Sequence, residues 1–297
     1  MTLEQLSIFI AVAERQHITQ AAQAVGLTPS AVSSAIRALE TTHDVLLFDR
    51  VGRGIELTQA GRLFLDEARA TVARANSAAL MLAELGGLKR GKLTVQASQT
   101  VASHWLPQQL MRFHALYPQI ELALTIGNTT SVADAVIAGL AELGFVEADV
   151  ASDRLARTIV AEDVMVIVAS PGHPLVLPRD DVSTSLLETT WIMREHGSGT
   201  RAFFEDALQT LGLSPQSLKI ALTLPSNEAV LSALMEGHCA AALSQTAAAP
   251  LIESGRLQVA PIRLASRHFS ALRHRERRLS EVSRQFLKLC TQNGAFR

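Results

Sequence analysis

The sequence predicts three unlike parts: a small helical domain closed by a β-hairpin, one long helix, and an α/β domain of two subdomains. Three observations carry this. Short amphipathic helical patterns fill the first forty-odd residues, an unbroken helical stretch runs from Thr58 to about Gly86, and strand-like runs alternate with helical runs thereafter. At 297 residues the chain exceeds what one hydrophobic core usually organises.

The small domain is organised around Thr28 to Glu40. Thr28 suits an N-cap and Pro29 the first helical position, so the start of this helix is specified locally. Ala31, Val32, Ala35, Ile36 and Leu39 recur at three- and four-residue steps and are expected to face a core. Ser30, Ser33, Ser34 and Arg37 then point outward, a small polar face suited to close approach to a large partner. Before it, Leu3, Leu6, Phe9, Ile10 and Ala13 form the stripe of a first helix. A second helix is expected from Thr19 as N-cap through Ala21, Ala22 and Val25 to Gly26, which fits the left-handed position past a helix end. Two short helices across a glycine-containing turn make a helix-turn-helix, although an enzyme's αα-hairpin has the same pattern. The next dozen residues separate the two. Leu46-Leu47-Phe48 and Ile55-Glu56-Leu57-Thr58 flank Asp49-Arg50-Val51-Gly52-Arg53-Gly54, a β-hairpin with arginines at its tip. The first domain is therefore an all-α winged helix-turn-helix domain, spanning 1–58.

The long helix, 59–87, carries two heptad series: Leu57, Phe64, Thr71, Ala78, Leu85 and Gly61, Ala68, Ala75, Leu82. At 1.5 Å per residue it is on the order of 40 Å long, more than a small domain needs. Gly86-Gly87 and Gly91 bracket Leu88-Lys89-Arg90, read as a hinge at 88–92.

In the remainder, 93–297, strands are expected at Lys92–Ala97, Ile120–Ile126, Leu143–Val146, Asp163–Ala169, Trp191–Arg194, Lys219–Leu224 and Ala240–Leu243. Helices are expected near Val101–Leu116 and Ser131–Gly139, from Arg201, from Glu228, and over Ser280–Gln292. Two such sets suggest subdomain I (93–162 and 266–297) and subdomain II (163–265) with a cleft between them. Four strand-to-helix turns carry small polar residues: Ser98-Gln99-Thr100, Gly127-Asn128-Thr129-Thr130, Gly197-Ser198-Gly199-Thr200 with Arg201, and Ser226-Asn227. Turns at the carboxyl ends of parallel strands are where ligands bind, and helix N-termini offer N–H donors to anions. Arg201 is the nearest candidate cation. The basic run Arg267 to Arg278 is read as a solvated strand edge and loop.

Composition narrows the function classes. Net charge is −1, and residues 1–92 hold ten Lys+Arg against nine Asp+Glu, so charge alone does not argue for nucleic acid. No secretory leader or long apolar span is read, and the protein is expected in the cytoplasm. Cys239 and Cys290 lack metal-ligand spacing and are read as buried thiols. The 194–201 run has neither the glycine of a nucleophile elbow at Ser198 nor the Gly-Lys-Ser/Thr of a nucleotide loop. No catalytic centre, metal site or cofactor is expected.

Ala21-Ala22, Leu27-Thr28, Ala31-Val32-Ser33, Ile36, Leu39-Glu40, Leu47-Phe48, Arg50, Arg53, Leu57-Thr58 and Ala60-Gly61 together resemble the amino-terminal domain of the LysR-type bacterial transcriptional regulators. Two departures stand out: His43-Asp44 replaces the family's usual Leu-Gly, and Pro29-Ser30 its frequent Gln-Pro. Arg194 to Arg201 and Ser226-Asn227-Glu228-Ala229 resemble a subgroup containing Rubisco-operon and sulfur-assimilation regulators. The resemblance implies a periplasmic-binding-protein-like effector domain and an antiparallel homodimer through the linker helix, with a tetramer through the effector domains. It also implies a sequence-specific regulator that binds double-stranded promoter DNA and senses a small anionic metabolite, with RNA polymerase a further candidate partner and no membrane. Thr28, Ser30, Ser33, Ser34, Arg37, Arg50 and Arg53 are then the DNA-facing residues, and the four turns the effector site. A different class of function remains open, a cytosolic enzyme or carrier holding a phosphate-bearing small molecule at Gly197-Ser198-Gly199-Thr200.

Overall fold

The computed structural model describes residues 1–51, 54–85, 91–178 and 181–292, with only the backbone described at 50, 51, 76, 77 and 79–85. Arg53 at the expected wing tip and the 88–90 part of the expected hinge lie outside the described residues. The chain divides into two compact units, Met1–Gly87 with Ala138–Leu140, and Leu88–Ile137 with Ala141–Arg297.

In the first unit, α1 (Leu3–Arg15), α2 (Ile18–Val25) and α3 (Pro29–His43) lead into β1 (Phe48–Val51), β2 (Gly54–Leu57) and α4 (Gln59–Leu85). A capping box at Thr2 and Gln5 starts α1. The α2 cap differs from expectation: His17, not Thr19, occupies the N-cap, its imidazole accepting from Gln20 N at 3.4 Å. Gly26 ends that helix at φ 69°, and Thr28 caps α3 by accepting from Ala31 N at 3.2 Å. Val32, Ile36 and Leu39 are buried, whereas Ala31, expected inward, is exposed in the first turn of the helix. Asp44 takes the left-handed conformation, φ 51°, which Asp tolerates better than most residues.

Glu40 ties α3 to the hairpin, one carboxylate oxygen accepting from Leu47 N at 2.8 Å and Phe48 N at 3.2 Å. Phe9 packs between Phe48 and Phe64, with ring centroids 5.4 and 5.1 Å away. Part of the α4 heptad pattern therefore serves this unit's own core, since Phe64, Leu65, Ala68 and Val72 pack there. Gly61 is required by the same packing, because a Cβ would lie 2.1 Å from the Leu47 carbonyl oxygen.

The second unit runs β3 (Gly91–Ser98), α5 (Gln99–His104), α6 (Leu106–Leu116), β4 (Ile120–Gly127), α7 (Thr129–Ala138), β5 (Leu143–Val146), β6 (Leu155–Ala169), α8 (Val182–Glu188) and β7 (Thr190–Arg194). It continues α9 (Gly199–Thr210), β8 (Lys219–Leu224), α10 (Asn227–Leu234), β9 (Ala240–Ser244), α11 (Gln245–Glu253), β10 (Gln258–Val259), β11 (Ser266–His274) and α12 (Glu281–Gln292). The expected Val101–Leu116 helix is two helices. Trp105 breaks the run, and Pro107, lacking an N–H, sits in the first turn of α6.

Strands follow the order β4-β3-β5-β11-β6-β9-β7-β8, with β10 also on β6. Parallel pairs β3/β4, β3/β5, β7/β8 and β7/β9 build the two halves, and antiparallel β6 and β11 join them. β6 pairs with β11 over Leu155–Val164 and with β9 over Met165–Ala169, so one strand passes from half to half. Its first part does not read as strand in the sequence, because exposed and buried residues mix there. The reading of Arg267 to Arg278 as a solvated edge is overturned: β11 lies between β5 and β6, and Arg267, Phe269, Ala271 and Leu272 are buried. A charged strand end hid a central strand. Phe113, Phe145 and Phe286 anchor the core of the first half, and Trp191 with Phe204, centroids 4.7 Å apart, that of the second. Each fully buried aromatic of this kind contributes roughly 1.5–3 kcal/mol of transfer free energy.

Candidate functional site

On α3, Ser30, Ser33, Ser34 and Arg37 are all exposed, opposite the buried Val32, Ile36 and Leu39. Thr28 is committed to its cap, and its hydroxyl also lies 3.0 Å from that of Ser30. Arg50 stands on β1 opposite Ile55. The outward face is thus small and polar, set on a helix fixed by its cap and by Glu40. That geometry suits insertion into a groove.

The four turns of the second unit meet between its halves. Asn227 Nδ2 donates to Thr100 Oγ1 at 3.1 Å, and Gln99 Oε1 accepts from Asn227 N at 2.7 Å. Thr100 and Thr200 hydroxyls lie 3.5 Å apart. Thr130 N donates to Gly197 O at 3.3 Å, and Asn128 Nδ2 to Glu195 Oε1 at 3.5 Å. Gln99 also reaches Glu228. The two halves therefore bond to each other directly at these turns.

The turns are not equivalent. Ser226 accepts from Ala229 N at 3.0 Å, and Asn128 from Ser131 N at 3.0 Å, both ordinary caps. Gly127 admits Ser131, whose hydroxyl would lie 2.4 Å from a Cβ there. Ser98 and Ser198 occupy N-cap positions without capping through their hydroxyls. Ser98 Oγ instead donates to Glu147, while Ser198 Oγ and Thr129 Oγ1 are buried without a partner among the described residues. Such orphaned donors are unusual and need a reason.

Arg201, the expected nearest cation, is engaged away from the turns' hydroxyls: Nε donates to Glu205 at 2.7 Å and a terminal nitrogen to Arg194 O at 3.1 Å. The guanidinium groups that reach the turns are those of Arg194 and Arg267. Arg194 donates to Asn227 Oδ1 at 2.5 Å and pairs with Glu195 at 2.8 Å. Arg267 Nε pairs with Asp163 at 2.7 Å, and a terminal nitrogen donates to Thr200 Oγ1 at 3.3 Å. Asp163 also accepts from Ser244 Oγ at 2.6 Å. Burial pushes the Glu147 carboxyl above the ordinary carboxylate range, partly offset by Arg267 and Arg194. The sequence reading missed Glu147, Asp163, Arg194 and Arg267 as site residues. Glu147 directly follows β5, so the strand-end rule that found the turns applies to it too. Arg267 carried no such signal, since β11 was not recognised.

Among the described residues there is no group of three or more potential metal ligands, and no helix is long and apolar enough to cross a membrane.

Two family models match the chain. Residues 3–62 match the bacterial regulatory helix-turn-helix protein, lysR family, and residues 86–295 the LysR substrate binding domain. The chain is 32% identical over 293 residues to YeiE of Escherichia coli K12, an uncharacterized HTH-type transcriptional regulator, covering 98% of this chain and 97% of the relative. Full-length CbnR in complex with its target DNA superposes with a TM-score of 0.68 at 21% identity, covering 99% of this chain and 100% of that one. The regulatory domain of Synechocystis PCC6803 CcmR in complex with 2-PG does so with a TM-score of 0.62 at 24% identity, over 69% of this chain and 98% of that one. A capped helix with its hairpin, followed by two α/β halves that meet at polar turns, agrees with both models, and the chain belongs to the LysR family of bacterial transcriptional regulators.

Proposed function

We propose that this LysR-family regulator binds two-fold-related promoter DNA through α3 and its wing, and that a small anion held in the cleft alters that binding. The convergence of Thr100, Thr129, Ser198, Thr200 and Asn227 between the two halves, with Ser198 and Thr129 hydroxyls left unpartnered among the described residues, is the observation that carries the ligand reading. Buried hydroxyl and guanidinium donors favour an oxyanion over an apolar compound. The CcmR domain, of like fold, holds 2-PG.

On the DNA side, Ser30, Ser33, Ser34 and Arg37 are the base and phosphate contacts, and Arg50 and Arg53 reach phosphate or the minor groove. CbnR binds its target DNA as a full-length chain of like fold. Among the described residues, the first unit's apolar core draws on α4 as far as Val72, which supports the use of the later half, with Ala75 and Ala78, as the seam of a homodimer. The regulator works in the cytoplasm and is no enzyme. An effector shifts operator affinity only as far as its affinities for the two states differ.

A thermal-shift screen of inorganic anions, sugar phosphates and small organic acids tests the ligand reading. Anions that stabilise the wild type lose their effect in Thr100→Val and Ser198→Val. Stabilisation unchanged in both variants, or seen only with apolar compounds, places the effector elsewhere.

A further inference from the structure

The charges around the cleft do not balance in favour of an anion. Arg194 and Arg267 are each already paired, with Glu195 and Asp163, and Glu147 is a third carboxyl that forms no ion pair among the described residues. It is 2% exposed. Several packed elements surround it: Ser98 at the end of β3 donates to one oxygen, and Thr200 of α9 lies 3.5 Å from the other. Arg267 of β11, Arg194 of β7 and Asp163 of β6 supply the surrounding charge. A Cβ at Gly199 would lie 2.6 Å from Thr129 Oγ1 and 3.1 Å from Glu147 Cγ, so the acid and one orphaned hydroxyl meet at the first turn of α9. Ser198 Oγ, next in the chain, and one Arg267 nitrogen are also buried without partners among the described residues.

We propose that Glu147 determines the ligand specificity of this cleft, admitting anions that carry a hydrogen-bond donor beside their charge and rejecting fully ionised ones. The inference rests on the ligand reading above and narrows it. An anion that satisfies the orphaned donors lies against a carboxyl, and an ionised carboxyl can only accept. Acceptor facing acceptor in a buried site requires a proton between them. A phosphate or phosphomonoester at neutral pH brings that proton for part of the time, and a hydroxy acid brings its hydroxyl. Sulfate brings none. A fully ionised anion against this carboxyl places a second negative charge beside the first, so its binding requires proton uptake by Glu147 itself, and that uptake is the cost that sets it apart from a donor-bearing anion. A site built to pair with a donor discriminates strongly against the analogue that lacks it.

Isothermal titration of the full-length protein with inorganic phosphate and with sulfate, at neutral pH and constant ionic strength, decides the matter. The wild type is expected to bind phosphate at least about tenfold more tightly than sulfate. In Glu147→Gln the amide supplies its own donor, so sulfate affinity rises and the ratio falls to near unity or reverses. A purely structural role would weaken both anions together and leave the ratio intact, which overturns the assignment. So does a wild-type affinity for sulfate equal to or above that for phosphate, and this reading needs no variant to fold. If Ser198→Val abolishes phosphate binding while Glu147→Gln leaves the ratio unchanged, the cleft reading stands and the Glu147 role falls. If neither anion binds wild type or variant, both fall.

Discussion

Replacing Asp163 by Asn removes the charge partner of Arg267 while keeping the shape of the side chain. Both members of the pair are deeply buried, at 3% and 0% side-chain exposure, and the contact is 2.7 Å. Asp163 also takes the Ser244 hydroxyl at 2.6 Å, so the carboxylate serves two donors at once. Asn offers one acceptor oxygen and turns an NH2 group toward the other donor. There remains a buried guanidinium with one nitrogen already unpartnered among the described residues, held by Thr200 at 3.3 Å and by the Phe203 ring, 5.9 Å from its carbon. Breaking a buried pair from one side costs about 3–5 kcal/mol, chiefly the cost of the stranded charge. For a unit of this size each kcal/mol lowers Tm by about 2–4 °C, giving a fall of roughly 6–20 °C. Urea denaturation followed by tryptophan fluorescence reads the change through Trp191, whose core adjoins β6. Removing both charges, as Asp163→Asn with Arg267→Met, is expected to recover at least half of the loss, since the penalty lies in the unpaired charge. A loss under about 1 kcal/mol in the single variant, or a double variant at the sum of the two single losses, would show that no stranded charge is left behind.

Gly61→Ala pushes a methyl group into the Leu47 carbonyl, at 2.1 Å without relaxation. It is expected to destabilise the first unit by at least about 1–3 kcal/mol and to weaken operator binding, as denaturation and gel shift report. Arg53→Ala should weaken binding to specific and nonspecific DNA alike and reduce the salt slope by about 0.9 for each phosphate it no longer neutralises; an unchanged slope removes Arg53 from the backbone contacts. Ala75→Glu with Ala78→Glu should give monomers, and wild-type mass by light scattering would put the seam elsewhere. Burial pushes the Cys290 thiol up to about 12, so at pH 8 it is neutral and shielded. Ellman's reagent should label the half-buried Cys239 in the native protein and reach Cys290 only on unfolding; two fast thiols would contradict the packing of α12.

Much of the fold is written locally. Thr28, Pro29 and Gly26 set where α3 begins and α2 ends through their own backbone and side-chain chemistry, and such signals need no tertiary information. His17 as a cap was missed because an imidazole acceptor is a rare substitute for a hydroxyl or carboxylate. Strands buried on both faces, such as β5 and β9, showed as apolar runs. β11 did not, because Arg267 and His274 are buried at its ends and read as solvent-facing until Asp163 supplies a partner from another strand. The site divides the same way. The polar turns were legible from strand-end position, but their cations were not: Arg201 is nearest in sequence yet is held by Glu205, while Arg267 arrives from the far end of the chain.

Operator titration by fluorescence anisotropy, with and without an anion, shows whether the turns of the second unit couple an anion to DNA binding. The full-length protein is titrated against the DNA upstream of its own gene, with inorganic phosphate and 2-PG as probes and matched ionic strength as control. At least one probe is expected to shift wild-type operator affinity, and Ser198→Val and Thr100→Val to bind the operator as wild type does but no longer respond. A response of wild-type size in both variants contradicts that coupling, as does an operator affinity that no anion moves while the same anions bind the cleft.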